Sequence, residues 1–140
     1  MEFVAGLLTC IQAALSTCQT LYDIVQTIKE GNSQVQRLLM TVELVRSILL
    51  DVQTSATSLD NESADILHRS MVNCSRDMSL ACIRLRKLFV LPDDGKITRA
   101  WKSAQLMIQK EELEKLDEYI HRHVSHLYIK VAMIRLAGCS

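Results

Sequence analysis

Apolar side chains recur at gaps of three and four residues in five stretches of this 140-residue chain. No segment sustains the two-residue alternation of a half-buried strand, and no Asn-Gly hairpin occurs. Such spacing puts one apolar stripe on each of several helices and leaves the stripes little choice but to face one another. The first stripe is Val4, Leu8, Ile11, Leu15, Cys18, Tyr22 and Val25, flanked by Leu7, Ala14, Leu21 and Ile28. The second is Val35, Leu38, Val42, Val45, Leu49 and Val52, widened by Leu39, Met40, Leu44, Ile48 and Leu50, which predicts a central helix covered on several sides. The third is Leu67, Met71, Cys74, Met78, Ala81, Leu85 and Leu88. A shorter run, Ile97, Trp101, Ala104 and Ile108, precedes the last stripe of Leu113, Leu116, Ile120, Val124, Leu127, Val131 and Ile134.

Four glycines and one proline leave few places to turn. Gly31-Asn32 is a natural C-cap pair, and Ser33 with Gln36 makes a weak capping box for the second helix. The second pattern fades through Thr54 to Ser58. Asp60-Asn61-Glu62-Ser63 marks an N-cap, and Pro92-Asp93-Asp94-Gly95 ends the third helix. The phase slips at Gln109-Lys110, and the last helix frays at Gly138. The expected architecture is all-α: one domain, 1–140, folded as an antiparallel up-and-down bundle of four long helices. Helices are predicted over residues 2–29, 34–57, 62–91, 96–109 and 110–137, the fourth long helix being broken into the last two.

Lys plus Arg balances Asp plus Glu, so overall charge argues against a nucleic-acid partner. Locally, residues 84–103 carry Arg84, Arg86, Lys87, Lys96, Arg99 and Lys102 against Asp93 and Asp94, while 110–118 is acidic. These are solvated helix faces or, in the sharper reading, a basic patch suited to anionic lipid. Five cysteines without a CxxC do not form a disulfide framework. Cys10, Cys18, Cys74 and Cys82 fall on apolar faces. The start, Met1-Glu2-Phe3, has no basic region of the secretory kind, so a reducing, intracellular setting is expected.

Motifs for catalysis are missing from the sequence: no Gly-rich phosphate loop, no GxSxG, no Cys–His spacing. His121, His123 and His126 are the only histidine cluster, and only the last two share a helix face, so they read as polar residues on a bundle face and not as metal ligands. No cofactor is implied. Trp101 reads as a core anchor, and Met40, Met71, Met78, Met107 and Met133 as fillers of core gaps.

The first helix carries the most specific clue. From Phe3 to Tyr22 no side chain is ionised, although the arc opposite the apolar stripe holds Thr9, Gln12, Ser16, Gln19 and Thr20. An uncharged polar face can sit in water, against another helix or at a membrane without desolvating an ion. At about 30 Å the segment is long enough to cross a bilayer core, but its glutamines and hydroxyls make it too polar for a lone resident anchor. Gly6, Ala13, Thr17 and Thr20 on one flank allow close helix approach, inside the monomer or between copies.

The order of these features resembles the fungal HeLo-like N-terminal domain of STAND (NLR-like) receptors. The resemblance is carried by the uncharged first helix, the run from Val35 to Leu49, the Cys/Leu-rich third helix, Ile97-Thr-Arg-Ala-Trp101-Lys and Lys110-Glu-Glu-Leu-Glu-Lys-Leu. It covers essentially the whole chain and is similar in architecture to four-helix cell-death executioner domains. The resemblance implies a cytoplasmic effector that homo-oligomerises, relocates to anionic plasma membrane on activation, and inserts its first helix in regulated cell death or incompatibility. It implies Phe3, Val4, Leu7, Leu8, Ile11 and Leu15 as membrane-engaging positions, with Thr9, Gln12, Ser16 and Gln19 lining a polar side shared between subunits. Glu2, at the entering tip, would snorkel or face a pore lumen. The activating part is expected beyond Ser140 or on a separate STAND-type receptor. A different class stays open, a protein–protein adaptor or homodimerisation bundle with no membrane role, and a small helical enzyme or metal protein ranks third.

Overall fold

A computed structural model describes residues 2–28, 32–89 and 91–139; the side chains of residues 2, 3, 32, 106, 107 and 136–139 lie outside the described set. The expectations for Gly31 and for the side chains of Glu2, Phe3 and Met107 therefore fall outside it. The fold is all-helical: α1 (Glu2–Gln26), α2 (Asn32–Ser55), a 3-10 turn at Ala56–Ser58, α3 (Asn61–Leu88), α4 (Lys96–Ser103) and α5 (Leu106–Cys139).

The stripes of α2, α3 and α5 meet as their spacing requires. Leu38, Val45 and Leu49 of α2, Met71, Cys74 and Leu85 of α3, and Leu113, Ile120 and Leu127 of α5 are buried in one cluster with the inner side of α1. α1 packs chiefly against α3 and also against α2, while α5 closes the other side by touching both α2 and α3. Paired hydrogen bonds give the directions. Gln34 meets Glu114, Thr41 meets Asp117 and Asp51 meets Arg135, so α2 and α5 advance together. Leu88 meets Gln109, Asp77 meets His123 and Ser70 meets Lys130, so α3 and α5 run oppositely.

Several expectations are corrected. In α1 the fully buried line is Leu7, Ile11, Ala14, Cys18, Leu21 and Val25, whereas Val4, Leu8, Leu15 and Tyr22 are only half-buried. The two candidate lines share Ile11, Cys18 and Val25, and small Ala14 marks the one that sits innermost. α2 is not covered all round: Met40 is 73% exposed, and Leu44 and Leu50 are also exposed. Ser33 lies inside the first turn of α2 and not ahead of it. The break before α5 falls at Ala104–Gln105, not at Gln109–Lys110, and α5 continues through Gly138. The Asp60 carboxylate caps α3, accepting from the Ser63 backbone N–H at 2.7 Å.

Trp101 is not a core anchor. It is 71% exposed and Ile97 is 88% exposed, while Lys102 of the same helix is buried. Met133, expected in a core gap, is exposed as well. The cause is polar. The last carbonyls of α3 have no partner within their own helix, and Lys102 Nζ donates to the Arg86 carbonyl and, at 2.8 Å, to Asp94 Oδ2. Gln109 Nε2 donates to the Leu88 carbonyl at 2.6 Å and to the Lys102 carbonyl at 2.7 Å. Satisfying these groups turns Lys102 of α4 inward and leaves Ile97 and Trp101 facing out.

Candidate functional site

Helix α1 forms because its interior lacks proline, its apolar residues fall on one side, and its hydroxyl groups find partners within the helix. Thr9, Thr17 and Thr20 each donate to the carbonyl four residues back, at 3.0, 2.9 and 3.1 Å. Gln19 Nε2 donates to Asp23 Oδ1 one turn on, at 2.9 Å. The outer face thus keeps three of its hydroxyl donors occupied without water, which lowers the cost of moving that face into a drier setting.

The same economy marks its links to the rest of the fold. Among the described residues, the one hydrogen bond joining α1 to another helix runs from Cys18 Sγ to the Val42 carbonyl, at 3.4 Å. The ion pairs among the described residues all lie on other elements. α5 stands in contrast. It is tied to α2 and α3 through Asp117, His123, Lys130 and Arg135. Packing, then, is almost all that holds α1.

The residues singled out in the sequence distribute as follows. Leu7 and Ile11 are fully buried against α2 and α3, Val4, Leu8 and Leu15 are half-buried along one edge, and the Phe3 side chain lies outside the described residues. Thr9, Gln12, Ser16 and Gln19 are exposed together on the opposite face. The span Val4–Gln26 is the one helix among the described residues long and apolar enough to cross a membrane by length and composition. On the small-residue flank, a Cβ added at Gly6 would meet only His68 Nε2, at an ordinary 3.9 Å, and Ala13 is exposed.

The cysteines beneath α1 are quiet. Burial pushes the Cys74 thiol up to about 12 and raises Cys82 as well. The histidines do not converge: His123 Nε2 lies 2.7 Å from Asp77 Oδ2, His121 Nδ1 lies 2.9 Å from the Asp117 carbonyl of its own helix, and His126 is exposed. Among the described residues no three His, Cys, Asp or Glu side chains gather as metal ligands. An open groove of 320 Å³ between α3 and α5 is lined by residues of both charges, Arg84, Glu112 and Arg122 among them, with Leu80 and Tyr119.

What the sequence did not disclose is the outward set of large apolar residues: Met40 and Leu44 on α2, Ile97 and Trp101 on α4, and Tyr128, Ile129 and Met133 on α5. The only signal that anticipates α4 is Asp94 placed just ahead of Lys102, able to draw that cation inward. Set against known protein families, curated proteins and solved structures, the chain matches none of them.

Proposed function

We propose that this chain is a non-enzymatic signalling or effector bundle of the fungal HeLo-like type, which oligomerises and engages membrane through α1 in regulated cell death or incompatibility. In this reading its long helices succeed one another up and down, with α4 interrupting the fourth. The chain is cytoplasmic at rest and moves to anionic plasma membrane when a receptor domain gathers several copies. The observation that carries the proposal is the bonding of α1: a fully buried apolar line joined to its neighbours, among the described residues, by a single thiol hydrogen bond. A helix held by packing alone exchanges one apolar environment for another when it moves to lipid, with no ion pair to break.

On leaving the bundle, α1 presents Leu7, Leu8, Ile11 and Leu15 to acyl chains, with Val4 and Phe3 ahead of them. Thr9, Gln12, Ser16 and Gln19 then face each other between copies, and Gly6 and Ala13 let those copies approach closely. Dye release from anionic vesicles tests the proposal. Wild type releases dye, and Leu8→Glu and Leu15→Glu, each verified as folded by circular dichroism, release it at least about tenfold more slowly, since a mid-helix acid costs several kcal/mol in hydrocarbon. Undiminished release by the folded variants overturns the proposal.

A second reading draws on the exposed Met40 and Leu44 of α2 and the exposed Tyr128, Ile129 and Met133 of α5. Apolar side chains grouped on outer faces suit a permanent protein–protein adaptor or homodimer in which α1 never moves. Light scattering separates the two: dimers of constant mass, indifferent to vesicles, favour the adaptor.

A further inference from the structure

α4 is an amphipathic helix worn inside out. Its cation, Lys102, is buried beneath it, held by Asp94 Oδ2 and the Arg86 carbonyl. Its large apolar side chains, Ile97 and Trp101, one turn apart, are 88% and 71% exposed. This orientation is fixed from below. Turning Trp101 inward would carry Lys102 out and strip the end of α3 of the donor that caps it. Arg99 braces the same helix by donating to the Asp94 and Pro92 carbonyls, at 2.9 and 3.0 Å.

Around this apolar tip stand exposed cations: Lys96 and Arg99 on α4, and Arg86 and Lys87 in the last turn of α3. Asp94 is neutralised by Lys102, which leaves Asp93 as the one exposed acid of the Pro92–Gly95 turn. Two large apolar side chains held outward on one short helix can enter a flat, yielding surface. Trp is suited to that place, since its ring is apolar and its indole N–H is wet at the headgroup level, while flanking Lys and Arg draw it to negative charge.

From this we infer that α4 is a peripheral docking element, in which Trp101 and Ile97 enter the headgroup region of an anionic lipid surface and Lys96, Arg99 and Lys87 bind its phosphates. The docking requires no departure of α1, so it stands or falls separately from the proposed insertion. It sets the geometry for that step, however. Because α4 lies at the end of the bundle where α3 finishes and α5 begins, and Gly6 near the start of α1 lies beside His68 near the start of α3, docking brings the C-terminal end of α1 toward the lipid. α1 must then pivot about that end to enter.

Trp101 is the only tryptophan in the chain, so its emission reports this site alone. The 140-residue chain is titrated with phosphatidylcholine vesicles and with vesicles containing phosphatidylserine. A blue shift on the anionic vesicles only, quenched by brominated acyl chains, is the expected result. Trp101→Ala weakens co-sedimentation with those vesicles about tenfold or more, the scale set by losing part of one large side chain's burial. The double charge reversal Lys87→Glu, Lys96→Glu, at exposed positions, weakens it further, and so does added salt. Emission unchanged by anionic vesicles overturns the inference and leaves a protein partner for the tip. An equal shift on neutral vesicles overturns the anionic assignment. A shift that grows with protein concentration in the absence of lipid overturns it in favour of a second copy of the chain. Dye release, which reads insertion of α1 and not docking, distinguishes failure here from failure of the proposed function.

Discussion

The Cys18 thiol donates to the Val42 carbonyl across the α1–α2 contact, 3.4 Å away, and among the described residues nothing else polar joins α1 to the rest of the bundle. A helix whose inner line is wholly buried would ordinarily be expected to share ion pairs or caps with its neighbours. Here those devices are spent on α5 and on the α3–α4 junction. The stability of the α1 contact is therefore apolar in origin, which makes it insensitive to salt and easily replaced by another apolar medium.

If packing alone holds α1, inner truncations should be costly and outer ones silent. Ile11→Ala, at a fully buried position, is expected to lower unfolding free energy by about 2–5 kcal/mol. Gln12→Ala, one residue on and exposed, should stay within about 0.5 kcal/mol. Urea titration at low and high salt measures both, and the difference between them should not change with salt.

Gly6 lies within α1, and a Cβ there would meet nothing closer than His68 Nε2 at 3.9 Å. Gly6→Ala should therefore stabilise the bundle by about 0.5–1 kcal/mol through helix propensity and the loss of unfolded-state entropy. A loss of stability in urea would mean that the flank is more tightly covered than this. A gain accompanied by weaker dye release would place Gly6 in contacts between copies.

The Lys102 network predicts a local weakness. Lys102→Met keeps the stem of the side chain but removes the donor to the Arg86 carbonyl. The orphaned acceptor should cost about 1–3 kcal/mol, seen as a lower thermal midpoint together with faster amide exchange confined to α4 and the end of α3.

Acid should act on the same junction. Hydrogen bonds from Lys102 and from the Leu91 N–H, the first being the larger effect, hold the Asp94 carboxyl below its ordinary value. Hydrogen bonding from Ser63 does the same for Asp60 at the start of α3. A depressed carboxyl contributes stability above its unfolded value, about 4, and that contribution disappears as pH falls through the lower folded value. Thermal midpoints should thus hold from neutrality to about pH 4 and then drop. Asp94→Asn should start lower at neutrality and drop less.

Much of the core was legible because α2, α3 and α5 each carry one unambiguous line. Val35 to Val52, Leu67 to Leu85 and Leu113 to Leu127 are buried at the spacing read from the sequence. The register of α1 was less determined. Leu8 and Leu15 compete with Leu7 and Ala14 for the inner position, and only contact with α3, where small Ala14 fits, decides between them. The outward turn of Trp101 was hidden for a different reason. The expectation that apolar residues face inward weighs side chains one helix at a time, whereas here the unpaired carbonyls ending α3 recruit Lys102 and outweigh it. The polar face of α1 was readable residue by residue. Its scarcity of bonds to the other helices was not, since that depends on which side chains the remaining helices turn toward it.

Amide hydrogen exchange, resolved along the chain and followed across a denaturant series without lipid, tests the release of α1 most directly. The account predicts that amides around Leu7, Ile11 and Ala14 exchange through a partial opening. Their protection should be at least about tenfold below that of the amides around Met71 and Ile120, with a smaller denaturant slope. Equal protection and equal slope in all three helices would contradict it: α1 would then come free only when the whole bundle unfolds.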